Sequence, residues 1–309
     1  MRINISRFLN PPQEKSGLSL DFGELMDCRR QALQISLKSL KNTSRNIGNI
    51  KSAFKGRGIE MEEIREYTFG DDVRDIDWRV SARKRTPYTK VYNEEKDREI
   101  YVLLDLSASM LFATRNELKS VTASKAAAML GWLAQENNDR FAAFIFDGKK
   151  TWRFAPQRSQ AHLLAIFKKI VETSQSVITE NIPSSGLVSS LNIMQKTLHG
   201  GASVFIISDF CDFDDNMQKA LAILAKKTQV FCLNVCDVLE IEPPRGGEYM
   251  IADGKESLVF DTRSKAFCEE YRRYFADKRQ VLKDFCKKFD CHVIEIRNDM
   301  PLCEQMKII

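Results

Sequence analysis

The chain is poor in histidine, with three in 309 residues, and nowhere holds a long uninterrupted apolar run. Its longest apolar stretches, such as 203–207 and 101–104, end at polar or charged residues, far short of the roughly 20 apolar residues a membrane-spanning helix requires. No span is expected. Residues 1–12 lack an apolar core and a small-residue cleavage site, so no secretory signal is expected and the expected compartment is the cytoplasm. A glycine-rich phosphate loop is missing, and neither Ser107 nor Ser109 sits in a Gly-x-Ser-x-Gly elbow. Those absences argue against a nucleotide-binding enzyme and a serine hydrolase. The eight cysteines, at 28, 211, 232, 236, 268, 286, 291 and 303, are scattered. Free thiols are expected rather than a disulfide framework, and neither Cys232 with Cys236 nor Cys291 with His292 has zinc spacing.

What is present is an ordinary globular balance of 43% hydrophobic and 29% charged residues, enough apolar material for a sizeable core. Lys+Arg number 47 against Asp+Glu 42, a net charge of +5. The excess is local: residues 1–98 hold 20 basic and 15 acidic side chains, residues 99–309 hold 27 of each. Eight of the cations, from Arg29 to Arg57, fall between Cys28 and Ile59 without one acid. Such a face could meet a nucleic acid or, peripherally, an anionic membrane surface. No aromatic residue precedes Phe54 there and no nucleic-acid-reading motif accompanies it. A solvated helix face, with Leu33, Leu37 and Leu40 at helical spacing and a loop over 42–49, is therefore the simpler reading.

The hydropathy pattern changes at about residue 98. Before it, extended segments over 63–69 and 88–94 flank a Gly70-Asp71-Asp72 turn, a small β-rich element. After it, strands are expected over 100–105, 141–147, 151–155, 203–208, 229–235 and 292–296. Helices are expected over 117–136, 159–173, 187–198, 216–227 and 264–289, with a polar hairpin region over 243–261. This alternation predicts an α/β fold, a doubly wound mostly parallel sheet covered on both faces over 99–309, behind a smaller helical and β-rich element over 1–98.

Ligands of open α/β sheets bind beyond the carboxyl ends of strands where strand order reverses. The first apolar strand ends in Asp105-Leu106-Ser107-Ala108-Ser109, and a later one in Ser208-Asp209-Phe210. A carboxylate and two hydroxyls in alternation can converge on one hard cation, or can merely cap the next helix. The pattern resembles the metal-ion-dependent adhesion site of von Willebrand factor A domains. That resemblance implies that Ser107 and Ser109 ligate the metal directly, and Asp105 and Asp209 directly or through water. It places the loop hydroxyl at Ser185, in Pro183-Ser184-Ser185-Gly186. Two carboxylates and an open coordination position suit Mg²⁺, or another divalent cation. The open position would take a carboxylate from a protein client.

A second set of residues, Gly56-Arg57-Gly58-Ile59-Glu60, Arg65-Glu66-Tyr67, Gly70-Asp71-Asp72-Val73-Arg74-Asp75-Ile76-Asp77-Trp78 and Ser81-Ala82-Arg83, resembles the signature of the domain of unknown function fifty-eight family. Members usually accompany MoxR-type AAA+ ATPases, which implies such an ATPase as partner in a chaperone-like or assembly role. Many members begin with two membrane helices, which are not expected from this sequence. Arg74, Asp77 and Arg83 are close enough in sequence to form a bidentate ion-pair network under Trp78. The simpler reading is that this segment only joins the β-rich element to the sheet; the alternative is that Arg74 or Arg83 forms a docking surface. An enzyme of haloacid-dehalogenase type also begins with an aspartate after the first strand, but it needs a second acid two residues on, where this chain has Ser107. A non-enzymatic, metal-dependent interaction protein is the expectation.

Overall fold

The computed structural model describes residues 17–33, 60–93, 98–180, 186–198, 200–252 and 257–306. Its first helix, α1 (Phe22–Ala32), starts at a reciprocal cap: Asp21 accepts from Gly23 N, and Glu24 accepts from Asp21 N. Leu25, Cys28 and Ala32 recur at helical spacing and are buried. The Leu25 carbonyl accepts from Trp132 Nε1 at 2.9 Å. Residues 1–41 group with 98–309 in one compact unit, and 42–97 form a second. Of the eight clustered cations, Arg29 pairs with Glu136 at 2.8 Å and Arg30 lies 3.9 Å from Asp27; the other six lie outside the described residues.

In the smaller unit β1 (Glu60–Glu66) pairs antiparallel with β2 (Tyr88–Asn93), with Glu66 opposite Tyr88. This is the expected β-rich element. Between the strands stands a short helix that sequence patterning does not reveal, α2 (Trp78–Lys84). Asp77 caps it by accepting from Arg79 N and Val80 N, both at 3.1 Å, and Arg85 ends it in the left-handed region at φ 61°. The signature's Gly56-Arg57-Gly58-Ile59 run lies outside the described residues.

The larger unit is built on β3 (Glu99–Asp105), β4 (Arg140–Phe146), β5 (Thr151–Gln157), β6 (Ser203–Ser208) and β7 (Gln229–Cys236). A two-stranded hairpin follows, β8 (Glu248–Ala252) with β9 (Ser257–Asp261), and then β10 (His292–Arg297). The sheet order is β10-β7-β6-β3-β4-β5, parallel throughout except for β5 against β4. This is the doubly wound, mostly parallel sheet expected. β3, β4, β6 and β7 read as nearly unbroken apolar runs because both their faces are covered.

One face packs against α1, α3 (Lys119–Glu136) and α4 (Gln160–Glu180). The other packs against α5 (Val188–Thr197), α6 (Asp215–Ala225) and the last turns of α7 (Lys265–Lys288). A short α8 (Leu302–Gln305) closes the first face. Helix α4 runs past the end expected at Thr173 because Val177, two turns beyond the buried Ile170, is itself buried; packing outweighs the weak helix preference of Thr173, Ser174 and Ser176. Among the described residues no helix is long and apolar enough to cross a membrane.

Chain direction fixes the site. From β3 the chain adds β4 and β5 on one side, then crosses to place β6, β7 and β10 on the other. The winding reverses between β3 and β6, so a crevice opens at their carboxyl ends. Leu104 lies opposite Ile207, and Asp105 and Ser208 leave the sheet side by side.

Candidate functional site

Asp105, the last residue of β3, is buried and tied from two directions. Its Oδ1 accepts from Ser107 N at 2.9 Å, and its Oδ2 accepts from Ser208 Oγ at 2.6 Å. Ser107 Oγ lies 3.4 Å from Ser109 Oγ. Residues 108–110 form a single turn of tight helix that presents the two hydroxyls on one side of the loop. The structure thus brings Asp105, Ser107, Ser109 and Asp209 around one small cavity, of about 20 Å³, that Ser208 and Asp212 also line. Ser185, the expected loop ligand, and Ser184 lie outside the described residues, and so does His199. Gly186 reaches the cavity edge.

The second acid is held in a way sequence reasoning does not anticipate. Asp209 Oδ2 accepts from Lys119 Nζ at 2.8 Å, and the same ammonium donates to Glu240 Oε1 at 2.8 Å. Lys119 is 2% exposed. Asp209 Oδ1 accepts from Cys211 N at 3.2 Å, and Phe210 N donates to Ser208 Oγ at 3.2 Å. Between these contacts Phe210 adopts φ 49°, a left-handed conformation that costs a side-chain-bearing residue about 1–2 kcal/mol. Burial of its ring, which is 6% exposed and meets Phe213 edge-on, holds it there.

The two carboxyls consequently differ. Burial, reinforced by the nearby charge of Asp209 and only partly offset by Ser208 and Ser107, pushes Asp105 up to about 6. Burial also acts against the charge of Asp209, but the Lys119 ammonium outweighs it and holds Asp209 below the ordinary carboxylate range. For Lys119 the two acids outweigh desolvation and keep it above its usual value, firmly protonated. Burial of its sulfur, followed by the charge of Asp209, pushes the Cys211 thiol up to about 12; it is no thiolate nucleophile.

Glu240 links this pair to a second buried acid. Its Oε2 accepts from Asp237 N at 2.9 Å, while Asp237, fully buried, accepts from Thr114 N at 2.8 Å, Leu239 N at 2.9 Å and Asn298 Nδ2 at 2.9 Å, and from Thr114 Oγ1. The polar line Asp209–Lys119–Glu240–Asp237 thus ties the loops after β3, β6, β7 and β10 together.

A hard divalent cation is compatible with this donor set. Asp105 retains lone pairs beyond its two hydrogen bonds, and two hydroxyls stand beside it around a polar cavity large enough for one small ion or a water. The charge is low, because Lys119 already neutralises Asp209. Among the described residues no group of three or more His, Cys, Asp or Glu side chains is placed to hold a metal, so serine oxygens would complete any such site. All eight cysteines are free thiols, as expected.

In the smaller unit the expected ion-pair network is not formed. Asp77 spends its carboxylate on the α2 cap and on Lys90 at 3.5 Å. The ion pair of the signature turn is Arg65 with Asp71 at 2.8 Å. Among the described residues Arg74 and Arg83 have no carboxylate partner, and Trp78, expected to cover the network, is 69% exposed.

Comparison with known proteins gives relatives in Mycobacterium bovis and Mycobacterium tuberculosis, both described as uncharacterized proteins. Each is 27% identical over 245 residues, covering 79% of this chain and 76% of the relative. Among solved structures, an aerotolerance-related membrane protein from Bacteroides fragilis aligns with a TM-score of 0.40 at 15% identity, over 69% of this chain and 96% of that one. The conserved hypothetical protein BatB from Bacteroides thetaiotaomicron aligns with a TM-score of 0.38 at 16% identity, over 68% and 95%. The family model described as protein of unknown function DUF58 matches residues 63–281, more than half of the chain, which therefore belongs to that family.

Proposed function

We propose that the chain is a non-catalytic protein-interaction module whose docking point is the switch-point crevice at Asp105, Ser107, Ser109 and Asp209. The observation that carries this reading is the convergence of a buried carboxylate and two hydroxyls at the carboxyl ends of β3 and β6. In this reading Asp105, Ser107 and Ser109 hold a divalent cation, Mg²⁺ in the first instance, and Asp209 and Ser185 complete its surroundings. The cation supplies a positive charge with an open position for a client carboxylate. On the resemblance set out above, the partner is a MoxR-type AAA+ ATPase acting with this chain in a chaperone-like role in the cytoplasm. Against catalysis stands the chemistry of the neighbours: Ser107 occupies the place where a general acid would be needed, and Cys211 is no nucleophile.

The test is a magnesium titration of the melting temperature. A ligand of the folded state at tenfold excess over its dissociation constant stabilises by about 1.4 kcal/mol, which raises the melting temperature of a chain this size by roughly 2 °C. Asp105→Ala is expected to remove the rise and, with it, capture of a carboxylate-bearing partner. A wild-type melt unmoved at tens of millimolar Mg²⁺ refutes the cation, and leaves the oxygens as loop and helix caps.

A further inference from the structure

The smaller unit carries a surface that its own fold does not use. On α2 the inward positions are Val80, half-buried, and Ser81, whose Oγ donates to Asp77 O at 2.7 Å and accepts from Tyr88 N at 2.7 Å. Trp78, Arg79, Ala82 and Arg83 are all exposed. At helical spacing these four positions occupy one contiguous arc. The chain leading into the helix adds Phe69, fully exposed, Val73, 58% exposed, and the exposed Arg74.

The charges in this segment are divided unequally between inside and outside use. Asp71 is bound to Arg65 and Thr68, Asp72 caps the short helical turn through Arg74 N, Asp77 caps α2, and Glu66 accepts from Tyr88 Oη. Arg74, Arg79, Arg83 and Arg85 have no carboxylate partner among the described residues. Exposed indole beside unpaired guanidinium groups is the composition that carries most binding energy at protein interfaces, because both bury large, rigid, amphipathic surface.

We infer that the arc of Trp78, Arg79 and Arg83, with Arg74 and Val73, is a docking surface for a partner-protein segment that presents acidic side chains around an apolar one. Guanidinium groups without a carboxylate partner among the described residues take the carboxylates, and Trp78 takes the apolar side chain. A polyanion fits less well. Between Ile64 and Lys90 seven cations stand among five acids, a mixed surface rather than the one-signed stripe that tracks a phosphate backbone. The surface belongs to the smaller unit and does not rest on the cation reading at Asp105.

The test uses the full chain and a fluorescein-labelled fifteen-residue peptide of alternating Glu and Leu, read by anisotropy, with a Lys/Leu peptide as control. Binding of the acidic peptide is expected, weakened about tenfold or more by Trp78→Ala and by the pair Arg79→Glu and Arg83→Glu. Chelator and Asp105→Ala are expected to leave it unchanged. Because every altered residue is exposed, melting temperatures should stay within about 1 °C of wild type. Failure of the acidic peptide to bind, equal binding of the Lys/Leu peptide, or losses under twofold in both variants overturn the inference. Tighter binding of a single-stranded oligonucleotide or phosphatidylserine vesicle, with the same sensitivity to the two variants, overturns the choice of partner.

Discussion

Lys119 offers the sharpest test of the candidate centre, because its ammonium already occupies one side of Asp209. A cation on the other side of that carboxylate would stand about 5 Å from Nζ, given the 2.8 Å contact and metal–oxygen distances of about 2.1 Å. At an effective dielectric near 20, unit charges at that separation repel by about 3 kcal/mol, and a divalent ion doubles this. Even with most of it screened by the open side of the crevice, about 1.4 kcal/mol remains, a tenfold effect on affinity. Lys119→Met is therefore expected to bind Mg²⁺ at least about tenfold more tightly than wild type. Without the metal the same variant strands two acids, which costs about 3–5 kcal/mol, or roughly 5–8 °C of melting temperature. Magnesium should return part of that loss. The milder Glu240→Gln leaves the ammonium with Asp209 alone and removes a nearby negative charge, so it should weaken Mg²⁺ binding. Calorimetric titration and melting curves of the three proteins read both signs. If the increment from magnesium is no larger in Lys119→Met than in wild type, Lys119 does not compete with a cation at this site and the electrostatic reasoning fails.

Asp237→Asn should lose about 2 kcal/mol, since four donors to a carboxylate are weakened at once. Burial works against the charge of Asp237, but Thr114, Leu239 and Asn298 hold the carboxyl below its ordinary range. Its stabilisation is thus present above the unfolded carboxylate value of about 4 and lost as pH falls further, so wild-type and variant melts should converge as pH is lowered below that value; a gap that persists undiminished refutes the assignment. Removing residues 1–33 should lower the melting temperature by at least about 5 °C, because Leu20, Leu25, Cys28 and Ala32 leave the core and Trp132 Nε1 loses its acceptor; an unchanged melt would separate α1 from the larger unit. Purified chain should show no Asp105-dependent hydrolysis of phosphate esters or nucleotides, checked by phosphate release from wild type and Asp105→Asn.

Much of the sheet was legible because strands buried on both faces must be apolar throughout, as Tyr101 to Leu104 and Val204 to Ile207 are. The convergence of Asp105, Ser107, Ser109 and Asp209 followed from strand ends alone. Lys119 was not legible in the same way, since a lysine in a first helical turn ordinarily points to water. A signal existed: α3 is apolar or small all round, with Lys119, Lys125 and Glu136 its only charged residues, and a helix of that kind is buried. A lysine on it needs partners. The Arg74–Asp77–Arg83 network failed for another reason. Nearness in sequence does not fix direction, and Asp77 at the start of α2 gains more from the backbone donors of Arg79 and Val80 than from a guanidinium group across the helix. The packing of helix α1 was not legible, because charge totals, counted along the chain, hide the buried stripe of Leu25, Cys28 and Ala32 beneath the cations around it.

Two neighbouring acids with separated proton affinities are also what an acid–base enzyme requires, so the split between Asp105 and Asp209 has to be traced to its cause. Asp209 stays charged because Lys119 is bonded to it, and that lysine is itself buried and shared with Glu240. Asp105 is raised chiefly by burial, and both its oxygens already accept hydrogen bonds. The hydroxyls of Ser107 and Ser109 lie 3.4 Å apart, and among the described residues no histidine lines the cavity to take a proton from either. On the proposed reading this buried acid, with no counter-charge bonded to it among the described residues, gains from an added cation, which stabilises the ionised carboxylate and needs no proton to move. The same pair of acids that would suggest catalysis by its proton affinities thus supports ion binding by its contacts.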